Sequence, residues 1–202
     1  MDFEKLYAKL SDPNFQNPEK SDIYNYYIVQ YNPDEEAEVE RTLANFKDVL
    51  VRPNNYIDVL SLDIFDEFCQ FLDNQSFGDS ASFLKELLES EADMSDQVGT
   101  VLQNNANSPE FYRWIHERIQ SHIAKDDDDL RRPFIFIYGI GRLYPYLRTN
   151  VLLTNYENYN EVTRYRLIIF YPGHKIQDKF TYSLFNQLKE TNMYRAILLN
   201  EE

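Results

Sequence analysis

Two short runs constrain this chain more than anything else in it. Residues 134–138 read FIFIY and residues 166–171 read RLIIFY, and each stops at a backbone breaker, Gly139 in the first case and Pro172-Gly173 in the second. A strand with one wet face alternates polar and apolar residues. A run that is apolar at every position needs cover on both faces, which is the situation of a central strand in a parallel sheet. Parallel neighbours require long crossovers, usually helical, so the fold class is α/β with helices on both faces.

The other elements follow from local patterns. Residues 26–31 (YYIVQY), 56–60 (YIDVL) and 195–199 (RAILL) are rich in β-branched and aromatic side chains and are expected strands. Phe3, Leu6, Tyr7 and Leu10 predict a short amphipathic helix, and Pro13 and Pro18 make residues 12–20 an expected surface loop. Asn32-Pro33-Asp34-Glu35-Glu36 is a helix start. Asn32 can cap free amides, Pro33 lacks only an amide that the first turn leaves unused, and the three acids oppose the positive end of the helix dipole. Val39, Leu43, Phe46 and Leu50 continue it at helical spacing.

Helical stripes then follow one another with no strand pattern between them: Phe65, Phe68, Cys69 and Leu72; Phe83, Leu84, Leu87 and Leu88; Val98, Val101 and Leu102. A last one, Phe111, Trp114, Ile115, Arg118 (by its stem), Ile119 and His122, opens on the cap Ser108-Pro109-Glu110. They predict a helical insertion over about 62–124, packed on the sheet. Two further helices are expected, one over about 144–155 and one carrying Phe180, Leu184, Phe185 and Leu188. A chain of 202 residues fits one domain. The expectation is a single three-layer α/β domain over 1–202, with a mostly parallel sheet of about five strands.

Composition narrows the function. One cysteine, Cys69, excludes an internal disulfide framework and a multi-cysteine zinc site. No apolar run approaches the roughly 18 residues of a membrane span, and MDFEKLYAKL has no signal-peptide core, so a soluble, cytoplasmic protein is expected. Residues 1–130 carry 28 acidic and 10 basic side chains; residues 131–202 carry 6 and 10. The acidic body would repel a DNA backbone, which argues against general duplex binding. A local basic patch of Arg131, Arg132, Arg142, Arg148, Arg164 and Arg166 could meet phosphate or an acidic partner, or could simply balance the acidic half.

Gly139-Ile140-Gly141-Arg142-Leu143-Tyr144 lies between a buried strand and a helix, where α/β proteins bind ligands. Free amides there, with Arg142, could hold an anion. Tyr144 stands where a dinucleotide loop needs a small residue, and no Gly-Lys-Ser/Thr mononucleotide loop exists. The plainer alternative is a tight turn with Pro145 setting the helix start. Pro172-Gly173-His174-Lys175 is expected as a second strand-end turn at the same edge, bringing Gly139, Gly141, Arg142, Gly173, His174 and Lys175 toward one anion-binding crevice. No cofactor is implied. His116 and His122 are six apart and miss the spacing of two metal ligands on one helix face. The acidic run 126–129 reads as a solvated connector. Gly-x-Ser-x-Gly is absent, and Cys69 on an apolar helix side reads as an inert thiol.

The C-terminal third carries a resemblance. Gly139-Ile140-Gly141-Arg142-Leu143-Tyr144-Pro145-Tyr146-Leu147-Arg148, then Val151-Leu152-Leu153-Thr154-Asn155, then Phe170-Tyr171-Pro172-Gly173, and Tyr194-Arg195-Ala196 some twenty residues on, resemble three blocks of the BrxB proteins of BREX (bacteriophage exclusion) systems. They cover about 132–200. Thr149-Asn150 and Ile197 depart from the pattern, which has a small residue with a histidine, and an aromatic, at these places. The resemblance implies a non-enzymatic accessory subunit that acts through other BREX proteins: PglZ foremost, then BrxC and PglX. It would support host DNA methylation and phage restriction. Under it, Arg142, Arg148 and Arg195 are the expected charged anchors of a partner interface, and Tyr144, Tyr146, Tyr171 and Tyr194 the aromatic ones. Arg148 and Arg195 could instead be internal. The runner-up is a degenerate nucleotide- or phosphate-binding sensor on residues 139–142.

Overall fold

The computed structural model describes residues 1–16, 26–44, 58–78, 80–124, 133–161, 164–176, 181–190 and 196–200. Five strands, β1 (Tyr26–Tyr31), β2 (Val59–Asp63), β3 (Phe134–Tyr138), β4 (Arg166–Lys175) and, at the C-terminus, β7 (Ala196–Leu198), form a parallel sheet in the order β2-β3-β4-β1-β7. The two apolar runs are its β3 and β4, paired from Phe134↔Arg166 to Ile137↔Ile169. Their side chains divide by parity. Ile135, Ile137, Leu167, Ile169 and Tyr171 enter one core, and Phe134, Phe136, Tyr138, Ile168 and Phe170 the other, so both faces are covered and no polar alternation is needed.

One face is covered by helix α1 (Phe3–Ser11), through Leu6 and Leu10, and helix α3 (Glu36–Ala44), through Val39 and Leu43. The cap before α3 forms as its sequence predicts: Asn32 accepts from Asp34 N, and Glu35 reaches back to Asn32 N across the 3₁₀ turn Pro33–Glu35. Residues 13–16, expected as loop, form a short helix α2 (Pro13–Gln16), opened by Asp12 accepting from Asn14 N at 2.8 Å. Phe46, Leu50 and the start of the second expected strand lie outside the described residues, and β2 runs to Asp63, three residues past its expected end.

The other face carries α4 (Ile64–Asp73), α5 (Phe83–Ala106), α6 (Pro109–Ile123) and α8 (Thr149–Tyr156). Phe111 of α6 is fully buried against Phe68 and Phe71 of α4, with ring centroids 5.1 and 5.3 Å apart. Glu67, buried under this layer, accepts from Trp114 Nε1 at 2.8 Å and from Arg118 Nε at 3.2 Å. Two of the expected stripes are one helix: α5 runs through both, with non-helical angles at Met94 (φ −136°, ψ 40°).

Two expected helices are corrected. After β3 comes a single turn, α7 (Ile140–Leu143), then a cis Tyr144–Pro145 bond, and only at Thr149 does α8 begin. Pro145 therefore separates two helices instead of starting one. Leu184, Phe185 and Leu188, read as part of a helix, lie instead in a hairpin of β5 (Tyr182–Leu184) and β6 (Leu188–Glu190). Phe185 and Asn186 at its tip have φ of 53° and 59°. Tyr182 and Leu184 are buried with Ser183 between them, so the true period is two. Phe180 lies outside the described residues. No described helix is long and apolar enough to cross a membrane.

Candidate functional site

The carboxyl ends of β1, β2 and β3 converge around Arg142. Asp63, the last residue of β2, caps α4 by accepting from Phe65 N (3.1 Å) and Asp66 N (3.2 Å), and it pairs with the Arg142 guanidinium. Glu40 of α3 holds Arg142 Nε at 2.8 Å, Asp66 lies 3.8 Å from Nη1, and the guanidinium carbon sits 5.1 Å from the centre of the Phe65 ring. Three carboxylates thus surround one cation. The field is visible on Tyr138, whose hydroxyl is pushed up to about 12, first by burial and then by the charges of Asp63 and Asp66. Tyr31, donating to Glu36 Oε2 at 2.7 Å, is raised further by burial and by Glu36. Burial also raises the Glu36 carboxyl. A phosphate at this place would meet a net negative field.

The two glycines of the 139–142 turn have packing reasons. Gly139 has φ +73°, and a Cβ there would lie 2.6 Å from Asp63 Oδ1 and 2.8 Å from Arg142 Nη2. A Cβ on Gly141 would lie 2.7 Å from the Phe185 ring at the hairpin tip. Gly139 makes room for the ion pair and Gly141 for Phe185. The signal for Asp63 was present in the sequence: a capping aspartate followed by Asp66 and Glu67 in the first turn.

The Pro172-Gly173-His174-Lys175 segment is no strand-end turn but the continuation of β4, paired antiparallel with β5 (Gly173↔Leu184, His174↔Ser183, Lys175↔Tyr182). His174 and Lys175 line a different feature from Arg142. It is an open cleft of about 640 Å³ at the ends of β1 and β4, shared with Gln30, Tyr31, Asn32 and Asn200. His174 Nδ1 donates to Asn186 Oδ1 at 2.6 Å, and Lys175 N donates to Gln30 Oε1 at 2.9 Å. The single crevice expected for Arg142, His174 and Lys175 is divided.

The aromatic and basic anchors also separate. Tyr171 is fully buried against Tyr182 (5.4 Å), because its position on β4 faces the helical layer; it cannot meet a partner. Arg166 is buried between Phe15 and Tyr27, and Arg164 is tied to Glu161 and Gln120 at 2.7 and 2.8 Å. Tyr194, Arg195, Arg131 and Arg132 lie outside the described residues. Accessible are Arg148, stacked 5.6 Å over the Tyr144 ring, and half-buried Tyr146, whose carbonyl accepts from Asn107 Nδ2 at 2.9 Å. Among the described residues no three His, Cys, Asp or Glu side chains are grouped to hold a metal.

Behind Arg148, at the start of α8, the fold buries a carboxylate. Glu190 is 3% exposed and accepts from Thr149 N at 3.2 Å. Burial raises its proton affinity, and hydrogen bonding and the charge of Arg148 offset this only in part. Its contribution to stability is therefore full below the ordinary glutamate value of 4.5 and is lost as pH rises through the higher value of the folded state. Glu190→Gln, which keeps the acceptor for Thr149, is expected to gain on the wild type as pH rises from acid to neutral. Each tenfold change in proton affinity is worth about 1.4 kcal/mol. Urea titrations across that range check this; parallel pH–stability curves for the two proteins would refute it.

Comparison with curated proteins and with solved structures finds no match. A family model described as BREX protein BrxB matches residues 60–199, over two thirds of the chain, reaching from β2 through the helical layer to β7. The match takes in the Asp63–Arg142 pair, the Tyr144–Arg148 segment and the hairpin, so the chain belongs to the BrxB family of BREX phage-defence proteins.

Proposed function

We propose that this protein is a non-enzymatic adaptor that docks other BREX proteins, PglZ foremost, with BrxC and PglX as further partners, and through them supports host DNA methylation and phage restriction. The observation that carries this reading is the accessible Arg148–Tyr144 stack beside Tyr146, on the segment joining α7 to α8. Arginine and tyrosine are the residue types in which interface energy concentrates. Family membership supports the choice of partners. The commitment of Arg142 to three carboxylates of its own chain supports a structural role for the strand-end cluster.

Co-purification of the tagged protein with each co-expressed BREX protein tests the proposal. A stable pair is expected with PglZ, and Arg148→Glu combined with Tyr144→Ala is expected to weaken it about thirtyfold, as loss of roughly 2 kcal/mol at a hot spot would. Urea unfolding of the double variant separates lost docking from lost folding. Absence of a stable pair with any BREX protein would end the adaptor reading, and turnover of a substrate by the purified protein alone would end its non-enzymatic part.

A further inference from the structure

The sheet opens at the carboxyl end of β1. This strand and its parallel neighbour β4 send the chain to opposite faces. Helix α3, after β1, packs Val39 and Leu43 into one core; β5, after β4, packs Tyr182 and Leu184 into the other. Divergence of that kind leaves a crevice beyond the strand ends, which is where open α/β sheets take ligands. The open cleft of about 640 Å³ that His174 and Lys175 line lies there, in the range of roughly 300–1,000 Å³ typical of small-molecule sites. Neither the Arg142 cluster nor the Arg148–Tyr144 stack lines it.

A count of donors and acceptors selects the occupant. The side-chain acceptors of the lining are engaged within the chain. Gln30 Oε1 accepts from Lys175 N at 2.9 Å, and Asn32 Oδ1 accepts from Asp34 N at 3.4 Å. Glu35 takes Asn32 N on Oε2 at 3.1 Å and the Met1 amine on Oε1. Asn200 bonds both amide atoms to the Gln30 backbone, at 3.0 and 2.7 Å. Glu36, the next acid of α3, accepts the Tyr31 hydroxyl at 2.7 Å. What these bonds leave over is donors: the Nε2 hydrogens of Gln30 and the Nδ2 hydrogens of Asn32. His174, its Nδ1–H given to Asn186 Oδ1, keeps Nε2, a further donor once the ring is protonated. Lys175 lines the same cleft as a cation, and the one lining acid, Glu35, is matched by the Met1 amine. Ile176, 41% exposed, and half-buried Leu198 add apolar wall. An occupant must bring acceptors and negative charge for the donors, and an apolar or planar body for the wall. We propose that this cleft binds a small phosphomonoester of about mononucleotide size, its phosphate on Gln30, Asn32 and His174 and its body against Ile176 and Leu198. The phosphate that the field around Arg142 would repel has a place here. The site goes beyond the adaptor reading and does not rest on it.

The test is isothermal titration calorimetry of the full chain with AMP, ribose 5-phosphate, adenosine and inorganic phosphate. Two substitutions remove a donor and keep the acceptor beside it. Asn32→Asp retains the oxygen that caps the helix start, and Gln30→Glu retains the oxygen that holds Lys175 N. Both place a charge where the phosphate would sit. Melting curves verify the fold, and Asn32→Asp decides alone if Gln30→Glu is unstable. The expected result is that AMP binds, that adenosine and inorganic phosphate bind at least tenfold more weakly, and that each variant loses at least tenfold in AMP affinity. Arg148→Glu is expected to bind AMP as the wild type does. Ribose 5-phosphate equal to AMP identifies a sugar phosphate read without its base, and AMP well above it identifies a nucleotide; either supports the proposal. Absence of binding by both esters overturns it, as does adenosine or inorganic phosphate binding as tightly as AMP. Undiminished AMP binding by the folded Asn32→Asp variant also overturns it. None of these results bears on capture of other BREX proteins, so the adaptor reading stands or falls separately.

Discussion

Gly173→Ala is expected to cost about 3 kcal/mol or more of unfolding free energy, measured by urea titration. The β carbon would lie 2.0 Å from the Ser183 carbonyl oxygen and 2.9 Å from Cε1 of Tyr171. Neither neighbour can give way cheaply. Ser183 is backbone of β5, held between β4 and β6 by the pairs His174↔Ser183 and Ser183↔Lys189, and Tyr171 is sealed in the core. Overpacking of a closed interior typically costs 1–3 kcal/mol, and about the upper end or beyond applies where the obstacle is main chain. Gly78→Ala supplies the contrast. Gly78 also has positive φ (56°), but nothing lies within 4 Å of its added carbon, so only the left-handed backbone cost of about 1–2 kcal/mol remains. Equal midpoints for the two variants would show that the β4–β5 contact does not carry the hairpin.

That glycine illustrates how a motif can be legible while its meaning is not. The Pro172-Gly173 pair was visible as a breaker, and a breaker after an apolar run ordinarily closes a strand. Here β4 crosses it, because β5 approaches too closely for any side chain and the only solution is a strand residue without one. Pairing with a segment ten residues on is tertiary information, absent from a local window. The same holds for 182–188, where Leu184, Phe185 and Leu188 imitate helical spacing and only the pairing with β4 decides the period. By contrast, β1 and β3 were readable to the residue, and so was the cap at Asn32, because the physics that sets them is local or needs only apolar cover on both faces. The site was readable in part. Arg142 announced itself as the basic residue after Gly-x-Gly, but its three carboxylate partners come from α3, β2 and α4, separated from it by more than 75 residues each. Exposure of Arg148 and burial of Tyr171 likewise depend on which side of the sheet α8 and the hairpin cover.

Asp63→Ala is expected to lower stability by about 2–3 kcal/mol, through two losses that separate variants can divide. The first is the cap of α4, where one carboxylate oxygen satisfies two free amides; removing such a cap typically costs about 1 kcal/mol. The second is the partner of Arg142. With its side chain 14% exposed, Asp63 is largely withdrawn from water, while the guanidinium is 35% exposed and water screens part of the penalty of leaving it unpaired. Asp63→Asn keeps an oxygen for the amides and removes the charge, so it should retain the cap and lose only the ionic part. That ionic part should also shrink in high salt, whereas the cap should not. The two substitutions therefore predict a ranking, wild type above Asn above Ala, with the Asn deficit narrowing as salt is added and the Asn–Ala gap unchanged. An Asn variant as unstable as Ala would mean that the charge, and not the cap, fixes α4 on β2. Equal stability of Asn and wild type at low salt would mean that Glu40 and Asp66 alone hold Arg142 in place.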